Sequence, residues 1–128
     1  MIGFALGRSR PGDLLYVTGP TVWFDGTAEV SHRFSPEVVL MFTGAAEPHG
    51  RFHMTMGSED ALETAHAFPE AALVAAHNEG WTHLRETQTQ LAAAFGAFGL
   101  ADRLQRFERG QPLPFSLHPR PRTHARVA

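Results

Sequence analysis

No cysteine occurs in the 128 residues. That excludes disulfides, thiolate metal ligands and a cysteine nucleophile. Lysine is absent as well, so all 11 basic residues are arginine. Against 13 acidic residues they leave a formal net charge of -2. A basic surplus of the kind nucleic-acid binding draws on is therefore missing, and no nucleic-acid partner is expected. No apolar run approaches the roughly 18 residues a membrane-spanning helix requires. The apolar start, residues 1–7, is too short for a signal peptide with its cleavage site. A cytoplasmic protein without a membrane span is the expectation. What remains is ordinary for one globular domain: 43% apolar and 19% charged residues.

Residues 1–13 carry three glycines and a proline and read as irregular. Residues 14–24 have strand composition, with Tyr16, Val17, Thr21, Val22, Trp23 and Phe24, interrupted by Gly19-Pro20. Asp25-Gly26 is a type I′ hairpin signal. After it, Ala28, Val30, His32 and Phe34 alternate along a second expected strand, residues 27–34. Ser35-Pro36-Glu37 marks a turn, and residues 38–43 form a third strand, apolar on both faces. Residues 51–56 alternate again, with Phe52, Met54 and Met56 on one side, and residues 61–67 read as a weak strand.

Pro69-Glu70 suits the first turn of a helix. Beyond it Leu73, Ala76, Gly80, Trp81, Leu84, Leu91, Ala94, Phe95 and Phe98 recur at gaps of three, four and seven, which predicts one long amphipathic helix over residues 69–98. A glycine inside such a helix costs about 1 kcal/mol, so Gly80 implies close approach to another layer with Trp81 wedged beside it. Residues 111–128 hold four prolines and several arginines with little apolar content, and read as a disordered tail. Strands followed by one helix imply an α+β domain over residues 14–110: a curved antiparallel sheet of four to five strands packed on a long C-terminal helix.

Two stretches resemble a known family. Gly26-Thr27-Ala28-Glu29-Val30, Phe34-Ser35-Pro36-Glu37 and Val39-Leu40-Met41-Phe42-Thr43, followed by Ala76-His77-Asn78-Glu79-Gly80-Trp81 with Leu84 and Leu91, are similar to the START-like (SRPBCC) domains, in the branch related to the activator of the Hsp90 ATPase. The resemblance spans about residues 20–98. It implies a helix-grip fold with an apolar cavity between sheet and helix. It also implies that the opening strand and short helices of that family are missing or replaced here.

Under that resemblance the ligand-binding candidates are Trp81, His77, Leu84, Trp23, Phe42, Phe52, Met54 and Met56. For the tryptophans and methionines the plain alternative is core packing. His77 and His83 lie six apart and His49 and His53 four apart, and neither pair has a recognised zinc spacing. No phosphate loop, nucleophile elbow or defensible Ser/His/Asp order occurs. The expectation is a non-catalytic domain that binds a hydrophobic small molecule between sheet and helix, with no metal or cofactor. The alternatives are a dimerising or co-chaperone-like interaction module, in which homodimerisation completes the sheet, and a cyclase- or hydrolase-type enzyme.

Overall fold

The computed structural model describes residues 2–106 and 108–115. Five strands form one sheet in chain order: β1 (Phe4–Leu6), β2 (Leu15–Val17), β3 (Val38–Phe42), β4 (Ala72–Ala76) and β5 (Leu104–Gln105). Only β1 and β2 run antiparallel, whereas β2, β3, β4 and β5 are mutually parallel. A parallel neighbour needs a crossover rather than a tight turn. The crossovers are α1 (Asp25–Arg33), α2 (Ser58–Ala67) and α3 (Gln88–Ala97), the last followed by a 3₁₀ turn, Ala101–Arg103. The expected antiparallel meander on one long C-terminal helix is therefore corrected to a mostly parallel sheet with three short helices.

Each misplaced element has a local cause. Residues 27–33 of that expected strand are helix, with Phe34 its extended C-cap, because Asp25-Gly26 opens α1 instead of a hairpin. The Phe24 N–H donates to Thr27 Oγ1 at 2.9 Å, and Thr27 Oγ1 donates back to the Phe24 carbonyl at 2.7 Å. Asp25 in the first turn and His32 and Arg33 in the last complement the helix dipole. Residues 61–67 are likewise helical. The Asp60 carboxylate accepts from the Gly57 N–H at 2.9 Å and starts α2. Residues 51–56 form no strand and lie in a loop that bonds back to the end of β3 and the residues after it, Met56 N–H to Phe42 O and Met54 N–H to Ala46 O.

The expected helix over residues 69–98 divides into three pieces. Ala72–Ala76 is strand β4, between β3 and β5, residues 77–87 are loop, and α3 begins only at Gln88. Gly80 has a φ of +90°, which no right-handed helix contains. Its role is to turn a loop, not to admit a packed layer. At α3, Thr87 Oγ1 accepts from the Gln90 N–H at 3.1 Å and Gln90 Oε1 accepts from the Thr87 N–H at 2.8 Å, a reciprocal cap. Of the expected tail, residues 111–115 contain no regular element, and residues 116–128 lie outside the described residues.

The helices occupy one face of the sheet. In-register Tyr16, Val39, Leu73 and Leu104, with Met41 and Ala75, meet Ala61, Leu62, Ala65 and Phe68 of the α2 region and Leu91 and Phe95 of α3. Phe95, Met41, Met56 and Leu73 are fully buried. Each contributes about 1.5–3 kcal/mol relative to exposure. The opposite face carries the alternate rungs: Leu6, Leu15, Val38 and Ala72, then Phe4, Val17, Leu40 and Val74, then Phe42 and Ala76. Every one of these residues is apolar, and none belongs to a cluster with a helix.

Two polar devices fix the periphery. The Asp13 carboxylate accepts from the backbone N–H groups of Arg8 (2.7 Å), Arg10 (2.9 Å) and Ser9 (3.2 Å), tying the β1–β2 connection. Those bonds, Arg8 foremost, hold its carboxyl below the ordinary carboxylate value. Arg103 reaches from the turn before β5 to the carbonyls of Ala65, Phe68 and Ala71. No helix among the described residues is long and apolar enough to cross a membrane.

Candidate functional site

In open sheets of parallel strands, ligands bind beyond the carboxyl ends of the strands. At that edge the backbone of this chain departs from ordinary geometry. β2 is followed by Gly19 at φ +67°, β3 by Gly44 at +89° and Ala45 at +47°, and β4 by His77 at +59° and Gly80 at +90°. Ala45 and His77 are the described non-glycine residues in the left-handed region, and both lie here. Such a conformation costs a side-chain-bearing residue about 1–2 kcal/mol. Strain of that size persists where the surroundings over-determine it, commonly at functional sites.

The surroundings do so through paired hydrogen bonds. The Thr43 N–H and Oγ1 both donate to the Ala76 carbonyl, at 2.9 and 3.1 Å, locking β3 to β4 at their ends. Thr55 Oγ1 donates to the Thr43 carbonyl at 2.8 Å and accepts from the Ala46 N–H at 3.0 Å. The Gly44 carbonyl accepts from the N–H groups of Arg85 and Glu86, and the Glu47 N–H donates to the His83 carbonyl. The loop after β3 and the loop after β4 are thereby joined. Gly44 has no room for a side chain: a Cβ there would sit 2.9 Å from Leu84 Cδ2 and 3.0 Å from the Asn78 Cα.

His77 projects from this junction with its ring stacked on Phe42, centroids 5.4 Å apart and planes within 10°. Asn78 beside it is buried, and its Nδ2 has no hydrogen-bond partner. Both line a cavity of about 170 Å³ with Glu79, Gln88 and Arg109. The Glu79 carboxylate pairs with Arg109 Nε at 3.0 Å. On the joined loops, Glu47 Oε1 lies 3.3 Å from His53 Nε2 and its Oε2 accepts from Arg85 Nε at 3.1 Å. The edge thus offers an imidazole, an unpaired amide donor and two carboxylates already engaged with cations.

Of the eight candidates read from the sequence, Phe42 and His77 meet here, with Leu84 packed beneath Gly44. The other five lie elsewhere. Trp81 is 64% exposed, tilted against the ring of His83. Phe52 is exposed in its loop. Met54 is half-buried in the same loop, and Met56 is wholly buried, its sulfur accepting from Thr64 Oγ1. Trp23 is half-buried ahead of α1, its N–H bonded to Asp60 Oδ1. Asn78, Glu47 and His53 were not singled out as ligands. The signal available for Asn78 was Asn-Glu-Gly after a strand, a turn signature.

Metal-binding capacity is limited in the chain as described. Among the described residues no three His, Cys, Asp or Glu side chains come together to hold an ion. His77 is a good single imidazole donor, but the described residues do not form a complete catalytic metal site. The expected apolar cavity between sheet and long helix is overturned with the helix itself. A cavity of about 490 Å³ lies instead between β1–β2 and α1, lined by Ala5, Tyr16, Thr27, Val30 and Phe34 among others.

Comparison with known proteins agrees with the parallel architecture. No family model matches the chain. It is similar to the UPF0173 protein YddR of Bacillus subtilis, 34% identical over 76 residues, which are 57% of this chain and 30% of that protein. The solved structure of an isothiocyanate hydrolase from Delia radicum gut bacteria superposes with a TM-score of 0.74 at 32% identity, over 80% of this chain and 40% of that one. A possible metal-dependent hydrolase from Veillonella parvula superposes at 0.70 with 24% identity, over 76% and 37% of the two chains. A metallo hydrolase from Ignicoccus hospitalis follows at 0.66 with 22% identity, over 86% and 43%. The chain spans less than a third of the curated relative and about two fifths of each solved neighbour. The START-like resemblance is overturned by these likenesses, and so is the reading as a non-catalytic ligand binder, since the solved neighbour at 32% identity is a named hydrolase. The fold is that of these metallo-hydrolase-type structures, over the part of them that this chain covers.

Proposed function

We propose that this chain contributes to a metal-dependent hydrolase, and that its share of the catalytic centre is the carboxyl edge of β3 and β4 around His77. One observation carries the reading. The likeness to a named hydrolase extends over four fifths of the chain at 32% identity, and His77, the strained histidine among the described residues, stands where such sheets place their chemistry. Phe42 holds the imidazole ring in place, the Thr43–Ala76 bonds fix the strand ends beneath it, and the Asn78 amide offers a donor to an acceptor atom of a bound molecule. The described residues hold no complete donor set, so the centre needs groups beyond them.

The test is hydrolysis by the purified chain of 4-nitrophenyl acetate and of an alkyl isothiocyanate, each with and without added zinc. Turnover above the uncatalysed rate that His77→Ala abolishes, with an unchanged circular dichroism spectrum, supports the reading. Turnover indifferent to His77→Ala, or none with either probe, overturns it.

A further inference from the structure

Three sets of donors line the small cavity beside His77. The first is Asn78, which is 7% exposed. Its Nδ2 has no hydrogen-bond partner among the described residues. A buried donor without a partner carries the full cost of the water it gave up, so native chains rarely keep one without a use. The second is the start of α3, whose first residue, Gln88, lines the same cavity. Thr87 Oγ1 takes the Gln90 N–H, which leaves the N–H groups of Gln88 and Thr89 without acceptors inside the helix. The positive end of this ten-residue helix therefore lies at the cavity wall. The third is Arg109. It gives its Nε–H to Glu79 at 3.0 Å and holds Nη2 over Gly80, 3.1 Å from where a Cβ there would stand. Its Nη groups have no hydrogen-bond partner among the described residues.

We propose that this cavity is an anion subsite, which takes a carboxylate carried by the substrate and so holds that substrate beside His77. Donors outnumber acceptors there. The carboxylate on the wall, Glu79, is already neutralised by Arg109, and the end of α3 leaves an excess of positive potential. The Glu79–Arg109 pair is exposed on both sides. An ion pair in that setting is weak, so Arg109 turns its Nη groups to a second carboxylate at little cost. The cavity holds about 170 Å³. A water molecule's share of liquid volume is about 30 Å³, so a carboxylate on a short stem fits, with Ala75 and Ala76 as the apolar wall for the stem. The substrate class is thus a small ester, amide or isothiocyanate that bears a carboxylate. The inference rests on the hydrolase reading for its substrate. Its test reads binding without metal or turnover, so that either can fail alone.

Asn78 is the only asparagine in the sequence. The full chain labelled with ¹⁵N-asparagine therefore shows a single side-chain amide in its NMR spectrum. Sodium acetate in metal-free buffer at neutral pH is expected to shift that signal and to saturate in the millimolar range, as suits so small a ligand. Acetamide, the neutral counterpart, is expected to bind about tenfold more weakly, and Arg109→Ala to weaken acetate by about tenfold with an unchanged circular dichroism spectrum. Sodium chloride at the same ionic strength is expected to leave the signal in place. A signal that acetate does not move overturns the proposal. So does one that chloride or acetamide moves equally, or an acetate affinity that Arg109→Ala leaves intact. Acetate binding in a chain that shows no turnover keeps the subsite and removes the hydrolase reading.

Discussion

Replacing Arg103 with alanine tests how the helical layer is fastened to the sheet. Its guanidinium donates to the carbonyls of Ala65 at 2.7 Å, Phe68 at 2.6 Å and Ala71 at 2.9 Å. Ala65 lies in the last turn of α2, where carbonyls lack partners within the helix, and the positive charge complements the helix dipole there. Hydrogen bonds to a charged group contribute about 1.5–3 kcal/mol each. The three do not add, because one side chain supplies all of them and its burial opposes the charge, lowering its pKa. Arg103→Ala is expected to cost about 2–4 kcal/mol. With a urea slope of about 2 kcal/mol per molar, the unfolding midpoint falls by roughly 1–2 M. Arg103→Lys keeps the charge but not the planar fork and is expected to recover less than half of the loss. A loss for Arg103→Ala below about 0.5 kcal/mol, or a lysine variant as stable as the wild type, refutes the account.

Removing the α3 cap with Thr87→Ala is expected to lower stability by about 1 kcal/mol, read from the same urea curves. Trp81→Phe is expected to leave stability within about 0.5 kcal/mol while removing the solvent-exposed, red-shifted part of the tryptophan emission; a large destabilisation would restore the indole to the core. Tyr16 is buried, and burial raises its phenol above the ordinary 10.0. The folded state therefore favours the neutral phenol. Its contribution is complete below about pH 10 and is lost as pH rises through the folded value, so the urea midpoint should decline in alkali, and Tyr16→Phe should flatten that decline.

The elements legible in the sequence were those whose pattern has one structural meaning. β3 was found as a strand because Val38-Val39-Leu40-Met41-Phe42 is apolar on both sides, and that same feature marked it as parallel, a point the antiparallel reading passed over. β4 was hidden by composition. Ala72, Ala75 and Ala76 are strong helix formers, and pairing with β3, with β5 flanking Leu73 and Val74 between them, makes the segment a strand. The alternation at Ala28, Val30, His32 and Phe34 fitted a strand, yet Thr27 and Val30, three apart, turn inward on α1. Two helix starts were written plainly: Thr87-x-x-Gln90 is a capping-box spacing, and Ser58-Glu59-Asp60 loads the first turn of α2 with acid. His77 was reached for a reason the structure replaces. It stands out because its backbone is forced left-handed at a strand end, a property that pairing and loop closure create and side-chain periodicity does not encode.

The order of the strands across the sheet, which repeats their order along the chain, bears on how the molecule comes into being. No strand has to be threaded between two already in place. During synthesis each new strand docks on the free border left by the one before, so the ribosome can release the sheet as it is knitted. The two-residue β5 docks on that border with the fewest ladder bonds, which makes it the first of these strands to unravel.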